Sequence, residues 1–202
     1  MICRHIYIYR DHKDDKITSI ILLENDMHHS DLTASLLSAQ IGDREAIRDC
    51  LARYCRGIDR GDAAMLSSAY WEDAVDDHGA IKGTAAEFIE KATKPRPDSM
   101  GMHHMMGQVM MEIDGDSATV ESYFNATHRL LRADGTAYDL IVIGRYLDRM
   151  ERRGDEWRIA DRIAIRDWFR EYDDSADWSQ VPHANRGGHM PSDFSYTRFS
   201  TR

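Results

Sequence analysis

Residues 102–131 read MHHMMGQVMMEIDGDSATVESYFNATHRLL. Apolar and polar side chains mix at short period on both sides of Asp114-Gly115-Asp116, a hairpin signal. The stretch predicts two antiparallel strands, Met102–Ile113 and Ser117–Leu131. The same grammar continues downstream. Ala133-Asp134-Gly135-Thr136 turns into a strand over Tyr138–Met150, and Arg153-Gly154-Asp155 turns into a fourth over Glu156–Trp168. Long strands joined by short turns make an antiparallel meander.

Upstream of Pro95 and Pro97 the period is helical. Asp43 is placed to cap a helix whose apolar stripe is Ile47, Leu51, Tyr54, Cys55 and Ile58, with Gly61 at its end. Asp62 caps a second, short helix with Met65, Leu66 and Ala69 inward. Asp73–His78 reads as a short strand followed by a turn at Gly79. Gly83-Thr84 opens a third helix carrying Ala86, Phe88, Ile89 and Ala92, which the two prolines end. Helices first and a meander after them define an α+β class. A curved sheet folded over the helices leaves a cavity between the two layers.

The chain of 202 residues is 42% hydrophobic and 30% charged, which suits one globular domain with added segments. The boundaries are an N-terminal arm over 1–40, the α+β domain over 41–170 and an irregular tail over 171–202. Met27 is an alternative start. A net charge of −9 argues against nucleic acid and anionic membrane as partners. The longest apolar runs, such as Ile20–Leu23, are too short to cross a bilayer, and Arg4, His5 and Arg10 break any leader pattern. The expected location is cytoplasmic. Three cysteines, Cys3, Cys50 and Cys55, read as free thiols, with Cys55 on the apolar stripe.

Several chemistries lack their signatures. There is no phosphate loop, no Cys-x-x-Cys, no His-Glu-x-x-His and no Gly-x-Ser-x-Gly. His103 and His104 are adjacent and point to opposite faces of a strand, so they do not readily share one ion. The expectation is no metal and no cofactor.

What remains is a carboxylate and an imidazole. Asp59 lies at the C-terminal end of an apolar-faced helix, where the helix dipole disfavours it unless it has a partner. His104 lies near a strand start among Met102, Met105 and Met106, where its ring N–H needs an acceptor. An Asp59–His104 pair satisfies both and makes a general base. Tyr54, within the apolar stripe, reads equally well as core or as a hydrogen-bond donor to substrate. Arg162 shares a strand face with Arg158, Ala160, Ala164 and Arg166, which is either solvated or tucked under the helices. His128 is a candidate pocket residue from the second strand. Trp71, Phe88 and Met105 are candidates for an apolar wall.

The order of three helices and a meander, with Tyr54-x4-Asp59 and His104 opening the first long strand, resembles the SnoaL-like branch of the nuclear transport factor 2-like superfamily. Asp114-Gly115-Asp116-Ser117-Ala118, Glu121-Ser122-Tyr123-Phe124, Gly144 to Arg149 and Glu151 to Ile159 carry the similarity further. It covers about residues 41–170. Within the superfamily the chain is similar to hexachlorocyclohexane dehydrochlorinase, bile-acid 7α-dehydratase and scytalone dehydratase. The resemblance implies a cystatin-like α+β barrel with a cone-shaped pocket. It also implies cofactor-free elimination by an Asp–His pair, with Asp59 and His104 in those places, Tyr54 as donor and Arg162 as the pocket arginine. The region of the bile-acid enzyme's second-strand aspartate holds Thr127 and His128 here, which puts the substrate contacts in question.

The reading is a lyase of the dehydratase or dehydrohalogenase type acting on a small hydrophobic ring substrate, as a homodimer or homotrimer. Its alternatives are an isomerase or cyclase, a non-catalytic binding protein, and the small subunit of a ring-hydroxylating oxygenase.

Overall fold

In a computed structural model the described residues are 29–173 and 187–198, with side chains described from position 40 onward and at position 38. Two compact units are distinguished, residues 1–39 and 40–202. The arm expected over 1–40 lies almost wholly outside the described residues, as does Met27. The account below concerns the second unit.

The elements follow the expected order. Helix α1 (His29–Arg60) and helix α2 (Ala63–Ser67) precede strand β1 (Tyr70–Asp77) and strand β2 (Lys82–Thr84). Helix α3 (Ala85–Thr93) comes next. Four long strands then complete the sheet: β3 (Ser99–Asp114), β4 (Ser117–Leu131), β5 (Ala137–Arg153) and β6 (Glu156–Asp173). A short helix α4 (Phe194–Arg198) lies in the tail. The sheet order is β2-β1-β6-β5-β4-β3, with β1 parallel to β6 and every other pairing antiparallel. The sheet is curved and unclosed, so it cups the helices rather than encircling them. None of the described helices is long and apolar enough to cross a membrane.

Local signals explain the boundaries. The Asp62 carboxylate accepts from the Met65 amide at 2.9 Å and caps α2. Thr84 and Glu87 form a reciprocal capping box that starts α3. Gly57 is required where α1 meets α2, because a Cβ there would come within 2.5 Å of the Leu66 backbone nitrogen. One expectation fails at the start of α1. The helix begins at His29, and Asp43 lies inside it rather than capping it. The intervening residues include no proline to break the helix. The Asp43 carboxylate instead accepts from Trp157 Nε1 at 2.8 Å and from Arg152 Nη1 at 3.0 Å.

The core sits between α1 and the concave face of the sheet. Ile47, Leu51, Tyr54 and Ile58 pack against Val120, Phe124, Tyr146, Met150 and Ile159. Burying each large aliphatic chain contributes about 1.5–3 kcal/mol.

Two bulges decide which side chains face inward. On β3, Gly107 and Gln108 oppose Tyr123 alone, so His104 and Met111 both face inward although one number is even and the other odd. On β6, Asp161 pairs with Arg149 and Ile159 with Met150, leaving Ala160 as the extra residue. Trp157 and Ile159 therefore face inward before the bulge, and Arg162 and Ala164 after it. Gly144 faces the inner layer at a third irregularity. A Cβ there would lie 2.0 Å from the Ile165 carbonyl oxygen.

Candidate active site

The end of α1 and the start of β3 meet at Asp59 and His104. The His104 backbone amide donates to both carboxylate oxygens of Asp59, each at 3.0 Å. The His104 Nδ1 lies 2.6 Å from Asp59 Oδ1. Both residues are buried, at 5% and 9% exposure. The carboxylate that the helix dipole disfavours thus meets two donors of one residue, the amide shared between its oxygens and the ring Nδ1. Among the described residues, His104 Nε2 has no hydrogen-bond partner. The His103 side chain is 64% exposed and does not line the cavity, with its Nδ1 4.0 Å from Asp59 Oδ2.

His104 lines a cavity of about 570 Å³. Its floor is apolar, with Phe88, Met102, Phe124, Ala126 and Val142. Three further histidines reach it: His78 from the end of β1, His128 from β4 and His189 from the tail. The His128 ring lies edge-on to His104, with centroids 5.6 Å apart. Burial, then the nearby His104, pushes the His128 pKa down to about 4. It is neutral near physiological pH.

The tail closes one side. The Met190 amide donates to the Arg60 carbonyl at 2.8 Å, Arg60 Nη1 donates to the Gly188 carbonyl at 3.2 Å, and the Tyr196 hydroxyl donates to Asp62 at 2.7 Å. His189 and Met190 thereby join the cavity wall.

Other expected site residues are placed differently. Arg162 faces the core but does not line the cavity. It is fully buried, donating to Asp148 through Nε at 2.7 Å and Nη2 at 2.6 Å. Its guanidinium lies 4.1 Å from the Tyr54 ring centroid and 4.0 Å from that of Tyr146. The register places Asp148 directly opposite Arg162, so the pair is a cross-strand contact. Tyr54 is fully buried and does not line the cavity either. Its hydroxyl reaches His78 Nε2 at 3.2 Å and Tyr146 Oη at 3.4 Å, and burial pushes its pKa well above the ordinary phenol value.

Of the expected apolar wall, Phe88 is in place and Met105 is not. Met105 follows His104 on a pleated strand, so it points to the outer face and is 61% exposed. Trp71 lies away from the cavity. Its Nε1 donates to the Glu151 carbonyl, and Arg153 and Arg158 stack on its ring. Thr127 alternates with the inward residues Ala126 and His128 and lies off the cavity. Burial pushes the Cys50 and Cys55 thiols up to about 11 and about 12, which leaves them unreactive core groups.

The sequence reading missed a second carboxylate–imidazole pair. His78 Nδ1 is hydrogen-bonded to Asp76 Oδ1, and Asp76 Oδ2 accepts from the Tyr70 hydroxyl at 2.6 Å. Asp76 and His78 are two apart, and the Asp-x-His spacing on a strand was the available signal, since it puts both on one face.

No curated protein matches the sequence. Among solved structures the chain is similar to a type 2 hexachlorocyclohexane dehydrochlorinase, with a TM-score of 0.59 and 18% identity over 66% of this chain and 90% of that one. A scytalone dehydratase candidate from Novosphingobium aromaticivorans superposes with a TM-score of 0.58 and 18% identity, over 69% and 94% of the two chains. A nuclear transport factor 2-like protein with a cystatin-like fold, from the same organism, gives a TM-score of 0.54 and 22% identity over 79% and 99%. At these identities the likeness establishes the fold. A family model described as the SnoaL-like domain matches residues 39–163. With that match spanning most of the helices and the sheet that frame the cavity, the chain belongs to the SnoaL-like domain family.

Proposed function

We propose that the protein is a lyase that takes a proton from carbon with the Asp59–His104 pair and expels a leaving group from the adjacent carbon. The observation that carries this reading is the His104 imidazole itself. It is buried, it lines a cavity of substrate size, and its Nδ1 is held by a carboxylate at 2.6 Å. With the proton on Nδ1 directed to Asp59, Nε2 carries the lone pair that accepts a substrate proton. The imidazolium that results is stabilised by Asp59, whose oxygens are already fixed by the His104 amide. The neutral His128 beside it adds no opposing charge near neutral pH. An isomerase would use the same abstraction and return the proton elsewhere.

The lining points to the substrate's polarity. The chain carries a net charge of −9, yet the charged lysine and arginine chains at the cavity, Arg60, Lys91, Lys94, Arg96 and Arg166, meet no lining aspartate or glutamate among the described residues. Arg60 pairs with Asp193 and Arg96 with Asp98. Lys91, Lys94 and Arg166 make no ion pair among the described residues. An apolar floor under a cationic rim suits a hydrophobic ring compound bearing an anionic group.

The test is incubation of purified protein with ring carboxylates that carry a hydroxyl or chloride next to an activated C–H, followed by mass spectrometry. Loss of water or hydrogen chloride, abolished in His104→Gln, is the expected result. Turnover that persists in the folded variant would overturn the assignment.

A further inference from the structure

The cavity has two carboxylate-backed imidazoles, and the base role uses only one. His78 lines the wall formed by the end of β1, with its ring stacked on Phe88 at 4.3 Å between centroids. Its Nδ1 is tied to the buried Asp76, and its Nε2 meets the Tyr54 hydroxyl at 3.2 Å. Tyr54 is in turn 3.4 Å from the hydroxyl of Tyr146, and Tyr146 lines the cavity. Carboxylate, imidazole, phenol and phenol therefore form one continuous hydrogen-bonded chain that ends at the same cavity as His104. Such a chain can carry a proton when its members exchange donor and acceptor roles together.

We propose that Asp76, His78, Tyr54 and Tyr146 form a proton relay that protonates a hydroxyl leaving group while His104 takes the proton from carbon. The proposal rests on the elimination reading above. In the forward step the C–H bond breaks and its proton goes to His104 Nε2. The C–H electron pair becomes the new carbon–carbon π bond, and the C–O bond breaks with its pair on oxygen. Tyr146 gives its hydroxyl proton to that oxygen, Tyr54 reprotonates Tyr146, and the His78 imidazolium reprotonates Tyr54 from Nε2. The products are the alkene and water. His104 is left charged and His78 neutral, and exchange with water through the cavity mouth resets both. Tyr146 is the group that touches the substrate. Asp76, His78 and Tyr54 act through it as positioning and proton-supplying residues.

The groups around His78 fit a relay. Asp76 and Asp77 flank it on β1, and Asp77 is neutralised by Lys82 of β2 at 2.8 Å. Tyr54 faces it from α1, and Tyr70 reaches it through Asp76. Tyr146 and Asp148 of β5 and Arg162 of β6 complete the surround, with Asp148 and Arg162 cancelling each other's charge. From α3, Phe88 covers the ring and Lys91 stands at the cavity wall.

The leaving group separates the relay from the base, because chloride departs without a proton and hydroxide does not. The experiment compares wild type, His78→Gln and Asp76→Asn on a matched pair of ring carboxylates differing only in hydroxyl or chloride. The relay predicts that kcat for the hydroxyl compound falls about 100-fold or more in His78→Gln. The loss on the chloride compound is smaller by at least about ten-fold, because chloride leaves without a proton. Asp76→Asn gives the same selective loss on the hydroxyl compound in smaller measure. An equal loss on both compounds, or no loss on either, overturns the relay while leaving base-driven elimination intact. Nitrogen-15 NMR of His78 in the full chain provides a readout that needs no substrate. A proton on Nε2 as well as on Nδ1 at the pH of the assay supports the relay, and a ring with no Nε2 proton overturns it.

Discussion

Two buried carboxylates bridge elements of this molecule, one through a guanidinium and one through an imidazole, and the two pairs differ in what they face. Asp148–Arg162 joins β5 to β6 through two hydrogen bonds and is sealed between the rings of Tyr54 and Tyr146, both partners fully enclosed. Asp59–His104 joins α1 to β3 through three, and its imidazole lines the cavity. Burial and a carboxylate held by nitrogen donors are common to both. Access to a substrate-sized space belongs to one. Under the proposed function, only the pair whose edge meets the cavity can exchange a proton with a ligand. Arg162 stands behind two tyrosines and lines no part of the cavity.

That contrast predicts opposite responses to mutation. The largest effect falls on turnover in His104→Gln, expected to drop about 10²–10⁴-fold with a stability loss of about 1 kcal/mol, checked by steady-state kinetics beside urea melts. Arg162→Met strands the Asp148 carboxylate in the core and is expected to cost about 3–5 kcal/mol of folding stability, measured by urea denaturation. If Arg162→Met were as stable as wild type, the structural half of the comparison would fail.

His128 sharpens the account of the cavity side through pH. Its pKa is about 4 in the fold, against 6.5 ordinarily, so between those values the unfolded chain binds the extra proton. Its contribution is present in full above about pH 6.5 and is lost as pH falls towards about 4, up to about 3 kcal/mol in all. His128→Gln should flatten this acid limb in urea melts at several pH values. The smallest effect belongs to the rim. Arg166→Gln and Lys91→Gln are each expected to raise KM for an anionic substrate by a few-fold, about 0.5–1 kcal/mol, with kcat unchanged.

Much of this was legible in the chain. The helix-end carboxylate and the strand-start imidazole each lacked a partner, and pairing them solved both problems. Turn chemistry at Gly115 and Gly154 and the cap at Asp62 located the strands and α2 closely. The misreadings have physical causes. Strict alternation puts Arg162 on the face of Arg158 and Ala160, and the Ala160 bulge reverses that alternation. Met105 is expected in the apolar wall with Trp71 and Phe88, but it follows the inward His104 and the pleat sends it outward. Asp76 and His78 read only as part of a short strand before the turn at Gly79, because the buried tyrosines that complete their chain come from α1 and from β5, far away in sequence. Tyr54 was open between core and site, and it is core that touches the second pair.

The central claim is that His104 removes a proton from carbon, whatever becomes of the carbanion. The most direct measurement is proton exchange in D₂O, followed by NMR, at the activated C–H of a cavity-binding ring carboxylate that has no leaving group. Wild type should incorporate deuterium at that carbon, and folded His104→Gln should not exceed the uncatalysed rate. Equal exchange by both proteins would contradict the account.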